Sequence, residues 1–262
     1  MGGLVKLSNF QRLAPYVSMF WQGTAVTVLL ALCTVVIGFV LALLLALMRM
    51  SNVRPFAFLG VDKEGKKIDE GFRYKLSQFN PVSFLAACYV EVIRSTPVLV
   101  QIAVIYYGIF SQLISLPTFR IFGFIAFNRF VPGAIALGMN SGAYLCEIIR
   151  SGIQSIDGGQ TEAARSLGLT QAKNLRFVIL PQAIKNILPA IANEFVVIIK
   201  ESAVTYTIAV QDLMSVVQAV RSATYMVMEP LLVATAIYFC LCFPTSKLIA
   251  YIERRMRRGD VR

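Results

Sequence analysis

The sequence predicts an all-α integral membrane protein with five transmembrane helices and a cytoplasmic helix-turn-helix coupling loop. Hydrophobic residues make up 57% of its 262 residues and charged residues 15%. The mean hydropathy of +0.68 is well above that of an average soluble domain. The apolar residues also gather into long stretches separated by polar segments. Because a hydrocarbon core about 30 Å thick needs about 20 helical residues, these stretches are long enough to cross it.

The apolar stretches predict five spans in a single transmembrane domain that covers residues 1–262. The spans lie at about residues 24–48, 82–110, 130–149, 187–210 and 231–252. A polar loop at 50–80 separates the first two spans, and a coupling loop at 150–186 separates the third from the fourth. Residues 211–229 are less apolar, and their hydrophobic residues recur at helical spacing, which predicts a short amphipathic helix at the far surface.

The distribution of Lys and Arg predicts the orientation. Cytoplasmic segments of membrane proteins collect these residues. Of the 25 Lys and Arg, eighteen fall in the 50–80 loop with its flank, the coupling loop and the C-terminal tail, and five fall in the segments on the other side. We therefore expect the N-terminus outside and the C-terminus in the cytoplasm. Membrane topology also accounts for the formal net charge of +11, so no nucleic-acid partner is expected.

No catalytic centre, metal site or bound cofactor is expected in this chain. Histidine is absent, and the five cysteines lie in apolar runs without metal-ligand spacing. The segment from Gly60 to Lys67 matches a phosphate-binding loop except at the last position, where the hydroxyl that binds magnesium is missing. No strand and helix frame the segment, so it is predicted as a glycine-rich turn.

The second span is interrupted by the polar residues Arg94, Ser95 and Thr96, which are followed by Pro97. Proline removes a backbone donor and opens the helix, and the freed groups then need side chains, water or a ligand. Two interpretations are open: an interfacial kink, or a broken helix that lines a polar cavity. The charges of Glu91 and Arg94 beside the break favour the cavity.

The third span has two distinct faces. Its small residues Ala134, Gly138 and Gly142 recur every four positions, which predicts a ridge for close packing of another helix. Asn140 and Tyr144 lie on a different, polar face, together with Glu147 one turn further on.

The fourth span carries Glu194 and Glu201 on one side and Asn193 and Lys200 on the adjoining side. A charge at that depth costs at least ~2.5 kcal/mol unless it is paired or hydrated, so these residues are candidates for a functional site. The alternative is a structural Lys–Glu pair between helices.

The coupling loop contains a polar stretch from Gln160 to Pro181. Thr161 is predicted to cap a short helix that ends at Gly168, and Thr170 is predicted to cap a second helix that runs toward Pro181. The stretch is therefore predicted to form a compact helix-turn-helix outside the membrane.

Several spaced motifs resemble those of a known family. The pattern Glu162-Ala163-Ala164, three residues, Gly168, nine residues and Val178-x-Leu180-Pro181 is similar to the EAA loop of bacterial ABC importer permeases, which usually have isoleucine at the position of Val178. The Arg94–Pro97 and Asn140–Tyr144 motifs and the five spans resemble the polar amino acid uptake branch of that family (HisM/GlnP-like). The resemblance covers about residues 20–255. The 50–80 loop is longer than this branch suggests, so no contact of that loop is carried over.

The resemblance implies a non-catalytic permease subunit of the bacterial plasma (inner) membrane. In that family, a separate ATPase subunit binds ATP and Mg²⁺ and holds the EAA loop in a groove. The coupling residues implied here are Glu162, Ala163, Ala164, Gly168 and Leu169. Further partners implied are a second permease copy or a paralogue, and an extracellular or periplasmic substrate-binding protein.

Intramembrane polarity gives the candidate substrate-binding residues: Arg94, Ser95, Thr96, Asn140, Tyr144, Glu194 and Glu201. Arg94 or the freed amides near Ser95 and Thr96 are expected to meet an α-carboxylate, and Asn140 or the two glutamates an ammonium group. The glutamates favour a basic amino acid slightly over glutamine. Two other classes remain open, a secondary transporter or channel that needs no ATPase, and a membrane-embedded enzyme or receptor.

Overall fold

A computed structural model describes residues 7–51, 53–57 and 71–257. The Gly60–Lys67 segment, which was predicted as a glycine-rich turn, lies outside the described residues. The α-helices are α1 (Leu7–Gln11), α2 (Val17–Arg49), α3 (Phe72–Gln78), α4 (Pro81–Arg94), α5 (Val98–Ala103), α6 (Phe127–Gln154), α7 (Gly158–Ser166), α8 (Gln171–Asn174), α9 (Leu180–Glu201), α10 (Leu213–Thr224) and α11 (Met228–Arg257). The wider turns of a π-helix continue α5 over Val104–Phe110 and α8 over Leu175–Ile179. The tighter turns of a 3₁₀-helix precede α2 at Ala14–Tyr16 and follow α9 at Ser202–Ile208.

A small β-hairpin between α5 and α6 is an exception to the helical fold. Strands β1 (Arg120–Ile121) and β2 (Ile125–Ala126) pair antiparallel, with Arg120 opposite Ala126. The rings of Phe119 and Phe127 stack beside it with 4.7 Å between their centroids. The sequence predicted only a loop here, because strands of two residues are too short to show an alternating pattern.

Within the part of the chain that the structure describes, two helices are long and apolar enough to cross a membrane alone. They are Ala14–Arg49 and Met228–Met256, and an 18-residue stretch of each has a mean hydropathy of 3.1 and 1.7, respectively. The bent pair Pro81–Arg94 and Val98–Phe110 forms a third candidate span. Helices α6 and α9 are of spanning length but more polar. Both pack against α2 inside the bundle, where a helix meets protein on several sides and needs less apolar surface than one surrounded by lipid. The total of five spans therefore remains a prediction.

The third predicted span is a longer helix in the structure, and the fourth begins earlier along the chain than the apolar residues alone suggested. Helix α6 covers Phe127–Gln154 and α9 begins at Leu180. Pro181 stands at the second position of α9, directly after the π-helical turns that continue α8, so the helix begins before 187. After Glu201 the chain narrows to a 3₁₀-helix that ends at Ile208. The connection between α6 and α9 is therefore 155–179.

Helices α2 and α6 form the most extensive helix pair, and the predicted small-residue ridge is their contact. A Cβ atom built on Gly138 would lie 2.5 Å from Cγ2 of Ile37, and one on Gly142 would lie 2.8 Å from Cδ2 of Leu41. Ala134 is buried in the same core. The two backbones can approach this closely only because the ridge lacks side chains.

The close approach predicts a loss of stability for Gly138→Ala. The added methyl group has no room beside Ile37, and overpacking of this kind costs about 1–3 kcal/mol. Gly108→Ala is the matched control, because a Cβ atom there meets no atom within 4 Å. Thermal unfolding in detergent micelles should show a lower midpoint for Gly138→Ala only. Equal midpoints for the two variants would contradict the packing.

The predicted amphipathic helix after the fourth span is α10. Its apolar face, with Leu213, Val217 and Val220, packs against Leu13 and Phe20 at the start of the chain. This buried cluster lies at the same end of the bundle as the β-hairpin, because residues of α2, α10 and the hairpin line one cavity together. The helix-turn-helix around α7 therefore occupies the opposite end of α6 from this cluster.

Candidate functional site

The second predicted span is broken, and the break is a bend of 108° between Pro81–Arg94 and Val98–Phe110. At the end of α4 the amide of Ser95 donates to the Glu91 carbonyl at 2.9 Å. The hydroxyl of Thr96 donates to the Val92 carbonyl at 2.9 Å. The Ser95 amide is therefore already paired, and of the two predicted polar residues at the break only Thr96 retains a backbone amide without a partner among the described residues.

Gln101 satisfies the carbonyls that the break leaves without a backbone donor. Its Nε2 atom donates to the carbonyls of Ile93 at 2.7 Å and Thr96 at 3.0 Å, and it lies 2.8 Å from the Thr96 hydroxyl. Ile93 is four residues before Pro97, so its carbonyl would accept from the amide that proline lacks. Gln101 was missed in the sequence because a lone amide in the run Val98–Ala103 forms no motif.

Asn140 holds Gln101 from α6. Its Nδ2 atom donates to Oε1 of Gln101 at 2.9 Å, and both side chains are buried, with exposed fractions of 5% and 7%. Of the predicted substrate-binding residues, Thr96 and Asn140 are thus joined through a residue that was not predicted. Asn140 makes its contact inside the protein.

An open cavity of about 460 Å³ lies beside the broken helix and carries both signs of charge. Glu91 and Arg94 line it from α4, Arg49 lines it from α2, and Glu147 and Arg150 line it from α6. The Arg94 guanidinium lies over the ring of Tyr144, 5.6 Å from its centroid. The structure therefore brings Arg94 and Tyr144 together, and Arg94 is the member of this pair that lines the cavity.

Glu147 of α6 lines the cavity and connects α6 to the end of α2. It forms an ion pair with Arg49 at 3.0 Å and a second one with Arg150, whose Nε atom donates to both carboxylate oxygens. Arg49 uses one of its donors in this pair, and its side chain is about one quarter exposed. Glu91 and Arg94 have no ion-pair partner among the described residues, so the cavity offers an anion and a cation that are both available to a solute.

Glu194 and Glu201 are not among the residues that line the Arg94 cavity. Glu194 lies beside Ser141, and Glu201 is close enough to act on it electrostatically. The structure records no ion pair at either carboxylate within the described ranges, so the structural Lys–Glu pair considered from the sequence is not formed there. The structure does not join these two glutamates to the Arg94 cavity.

The coupling loop folds as the predicted helix-turn-helix, with a different first cap. Asp157, and not Thr161, caps α7 by accepting from the amide of Gly159 at 2.8 Å, because the helix begins four residues earlier than predicted. Thr170 caps α8 as predicted, by accepting from the amide of Lys173 at 3.4 Å.

The turn between the two helices is a Schellman motif, which satisfies the last carbonyls of a helix. Leu169 donates to the Ala164 carbonyl at 3.1 Å, and Gly168 donates to the Arg165 carbonyl at 2.9 Å. Gly168 has a φ of +77°, a conformation that favours glycine. The conformation of this one residue fixes the angle at which α7 meets α8.

The helix-turn-helix presents an exposed tip and is tied to α9 at its base. Glu162 and Ala163 are exposed, Leu167 is 82% exposed, and Ala164 is buried at 4%. Gln182 donates to Gln160 at 3.5 Å, and Asn186 donates to Ser155 at 3.2 Å. A knob anchored in this way moves with the membrane helices.

At the opposite end of the bundle, Asp212 caps α10 outside the predicted spans. The side chain is completely buried, and its Oδ1 atom accepts from the Ser215 amide at 2.9 Å. Burial raises the pKa of this carboxyl to about 7, against the lowering effect of the amides that it accepts from. A carboxyl with a raised pKa in the folded state favours folding while it is protonated, and this contribution is lost as the pH rises from about 4 to about 7.

Asp212→Asn is therefore expected to remove a pH dependence. Asparagine caps a helix as well as aspartate does and stays neutral. As the pH rises from 4 to 7, the wild-type protein should lose stability relative to the variant, so its midpoint of thermal unfolding should fall. The loss in free energy of unfolding is roughly 4 kcal/mol at most. Asp157→Asn, which makes the same substitution at the cap of the exposed helix α7, is the matched control. Parallel pH curves for wild type and Asp212→Asn would exclude a buried titrating carboxyl.

Comparison with known proteins gives consistent results along nearly the whole chain. Residues 75–258 match the family model for the binding-protein-dependent transport system inner membrane component. The arginine transport system permease protein ArtQ of Bacillus subtilis is 32% identical over 252 residues, which are 96% of this chain and 99% of that protein. The putative glutamine transport system permease protein GlnP of Rickettsia conorii is 33% identical over 242 residues, which are 92% of this chain and 94% of that protein.

Solved structures agree with the sequence comparison. The crystal structure of an amino acid ABC transporter with histidines contains a chain that is 39% identical, with a TM-score of 0.77 over 94% of this chain and 98% of that chain. A chain of the methionine ABC transporter MetNI in an inward-facing conformation is 16% identical with a TM-score of 0.58, which is a likeness of fold. The chain belongs to the family of binding-protein-dependent transport system inner membrane components, and within it to the amino acid ABC permeases.

Proposed function

We propose that this chain is the permease subunit of an ATP-driven importer of polar amino acids, with a basic amino acid slightly favoured over glutamine. A separate ATPase subunit docks on the helix-turn-helix, binds ATP and Mg²⁺, and drives alternating access across the bacterial inner membrane. The N-terminus is then outside and the C-terminus in the cytoplasm. A second copy or a paralogue completes the pore, and an extracellular or periplasmic binding protein delivers the substrate.

The cavity beside the broken helix is the observation that supports an amino acid as the substrate. An amino acid carries an α-carboxylate and an α-ammonium a few ångströms apart. Arg94 and Glu91 stand one helical turn apart on α4 and line the same cavity. A guanidinium binds a carboxylate with paired hydrogen bonds, and Glu91 suits an ammonium. The amides of Thr96, Val98 and Leu99, which lack partners among the described residues, add donors for an α-carboxylate.

Asn140, Tyr144 and Ser95 have separate parts in this proposal. Tyr144 orients Arg94, because the guanidinium lies over the face of the tyrosine ring. Asn140, which was predicted to meet an ammonium group, instead supports the site through Gln101, which holds the bend. Ser95 is exposed at the bend and offers its hydroxyl.

The preference for a basic amino acid rests on Glu194 and Glu201. Two carboxylates without ion-pair partners in the described chain attract a cationic side chain as it passes α9. Among relatives, one protein is an arginine transport permease and another a putative glutamine transport permease, so similarity alone supports both substrates.

The helix-turn-helix supports coupling to an ATPase. Its tip, with Glu162, Ala163, Gly168 and Leu169, is stiffened by the Schellman motif, while Ala164 is packed inward. A rigid knob transmits displacement without bending, and the hydrogen bonds from α9 carry it to the membrane helices. The chain itself serves no catalytic role in this scheme.

The experiment is reconstitution of the chain with its ATPase subunit in liposomes, with a panel of radiolabelled amino acids. We expect ATP-dependent uptake and competition by basic amino acids at lower concentrations than glutamine. The double variant Glu194→Gln and Glu201→Gln should lose this preference. Unchanged uptake of a basic amino acid by the double variant would contradict the role of the two carboxylates in substrate preference. Uptake without any ATPase would instead favour the second candidate, a secondary transporter.

A further inference from the structure

Both arms of the broken helix are attached to the same place on α6. From α4, the Tyr89 hydroxyl donates to the Met139 carbonyl at 2.9 Å. From α5, Gln101 accepts from Asn140 at 2.9 Å. The two attachment points are consecutive residues of one helix, so the bend is held from both sides at a single level of α6.

The Gln101–Asn140 hydrogen bond lies in the protein interior, where a lost partner is not replaced by water. Both side chains are more than nine-tenths buried. Gln101 also holds the carbonyls of Ile93 and Thr96, so the amide that contacts α6 is the same group that holds the bend. Buried groups of this kind remain paired because separation leaves a donor and an acceptor unsatisfied.

Helix α6 connects this attachment to the helix-turn-helix. It runs without interruption from Phe127 to Gln154, and α7 begins at Gly158. A continuous helix is stiff along its axis, so a displacement of α7 reaches Asn140 through α6. The bend in turn positions Arg94 at the cavity.

We propose that Gln101 and Asn140 are positioning residues that make the broken helix move together with α6. They carry the displacement of the helix-turn-helix to the Arg94 cavity and touch no substrate. This inference rests on the proposed function, because it needs ATP-driven motion at α7.

The test uses the complete transporter and removes the two partners of the Gln101–Asn140 hydrogen bond one at a time. Asn140→Leu removes the donor on α6 and leaves Gln101 bonded to the Ile93 and Thr96 carbonyls. Substrate affinity should stay within about threefold, while the number of amino acids transported per ATP hydrolysed falls about tenfold, within the range expected for coupling between two sites. Gln101→Leu also frees the carbonyls, so both affinity and coupling should fall. The double variant should be no worse than Gln101→Leu, since the two residues share one interaction.

Asn128→Leu is the matched control, because Asn128 lies on the same helix and has no hydrogen bond among the described residues. Tyr89→Phe keeps the ring and removes the second attachment, so it should lower the coupling ratio even if Asn140→Leu does not fold. Normal coupling in Tyr89→Phe and in any folded Asn140→Leu protein would overturn the inference. A wild-type complex that shows no ATP-dependent amino acid uptake would contradict the proposed function and not the attachment.

Discussion

Gly168→Asp is expected to uncouple ATP hydrolysis by the partner subunit from amino acid uptake while the membrane helices stay folded. Gly168 has a φ of +77° and closes the Schellman motif. A side chain in this conformation costs about 1–2 kcal/mol, and a change of the turn tilts α7 against α8. The strain is local, because a Cβ atom on Gly168 meets nothing within 4 Å. The measurement is uptake and ATP hydrolysis in the same liposomes, with thermal unfolding as the check on folding.

Two control variants separate the conformation of the turn from the added charge. Gly168→Ala imposes left-handed strain at the same position without the charge, so it should uncouple the transporter as Gly168→Asp does. Gly158→Asp adds the same charge to the first turn of α7, where the backbone is helical, a Cβ atom has room and an acidic residue is favourable. If Gly158→Asp abolished coupling as strongly as Gly168→Asp, the added charge and not the turn would be responsible.

Features that follow from local chemistry were predictable from the sequence. Pro97 with its polar neighbours predicted the break in the second span, because proline cannot continue a hydrogen-bonded helix. The spacing of Ala134, Gly138 and Gly142 predicted the face of α6 that packs on α2, since four-residue spacing places small residues on one side. Gly168 and Thr170 predicted the turn and the second cap of the helix-turn-helix.

Features that depend on distant contacts were not predictable in the same way. Gln101 is paired with a residue 39 positions away, and no local pattern reports such a pairing. Asp157 displaced Thr161 as the cap because both are good caps, and the choice depends on how α6 ends. The sequence also grouped all substrate candidates together, whereas the structure places Glu194 beside Ser141 and Arg94 over Tyr144. Helical spacing gives a residue's face but not its neighbours.

Arg94→Gln is expected to weaken amino acid binding more than any other single change at the cavity. Arg94 lines the cavity with Glu91 and is held over Tyr144. Hydrogen bonds from a charged donor contribute about 1.5–3 kcal/mol, so affinity should fall roughly ten- to a hundredfold. Equilibrium binding of a radiolabelled amino acid to the purified complex measures this loss directly.

Two further variants, Arg94→Lys and Arg54→Gln, show whether the loss of affinity comes from the guanidinium group at the cavity. Lysine keeps the charge but lacks the planar fork that pairs with a carboxylate and stacks on an aromatic ring, so Arg94→Lys should bind with intermediate affinity. Arg54 is exposed and bonded to Gln78, away from the cavity, so Arg54→Gln should bind normally. If Arg94→Gln bound the amino acid as tightly as wild type, the α-carboxylate would have to be held by the free amides at the start of α5, and Arg94 would serve only to orient Tyr144.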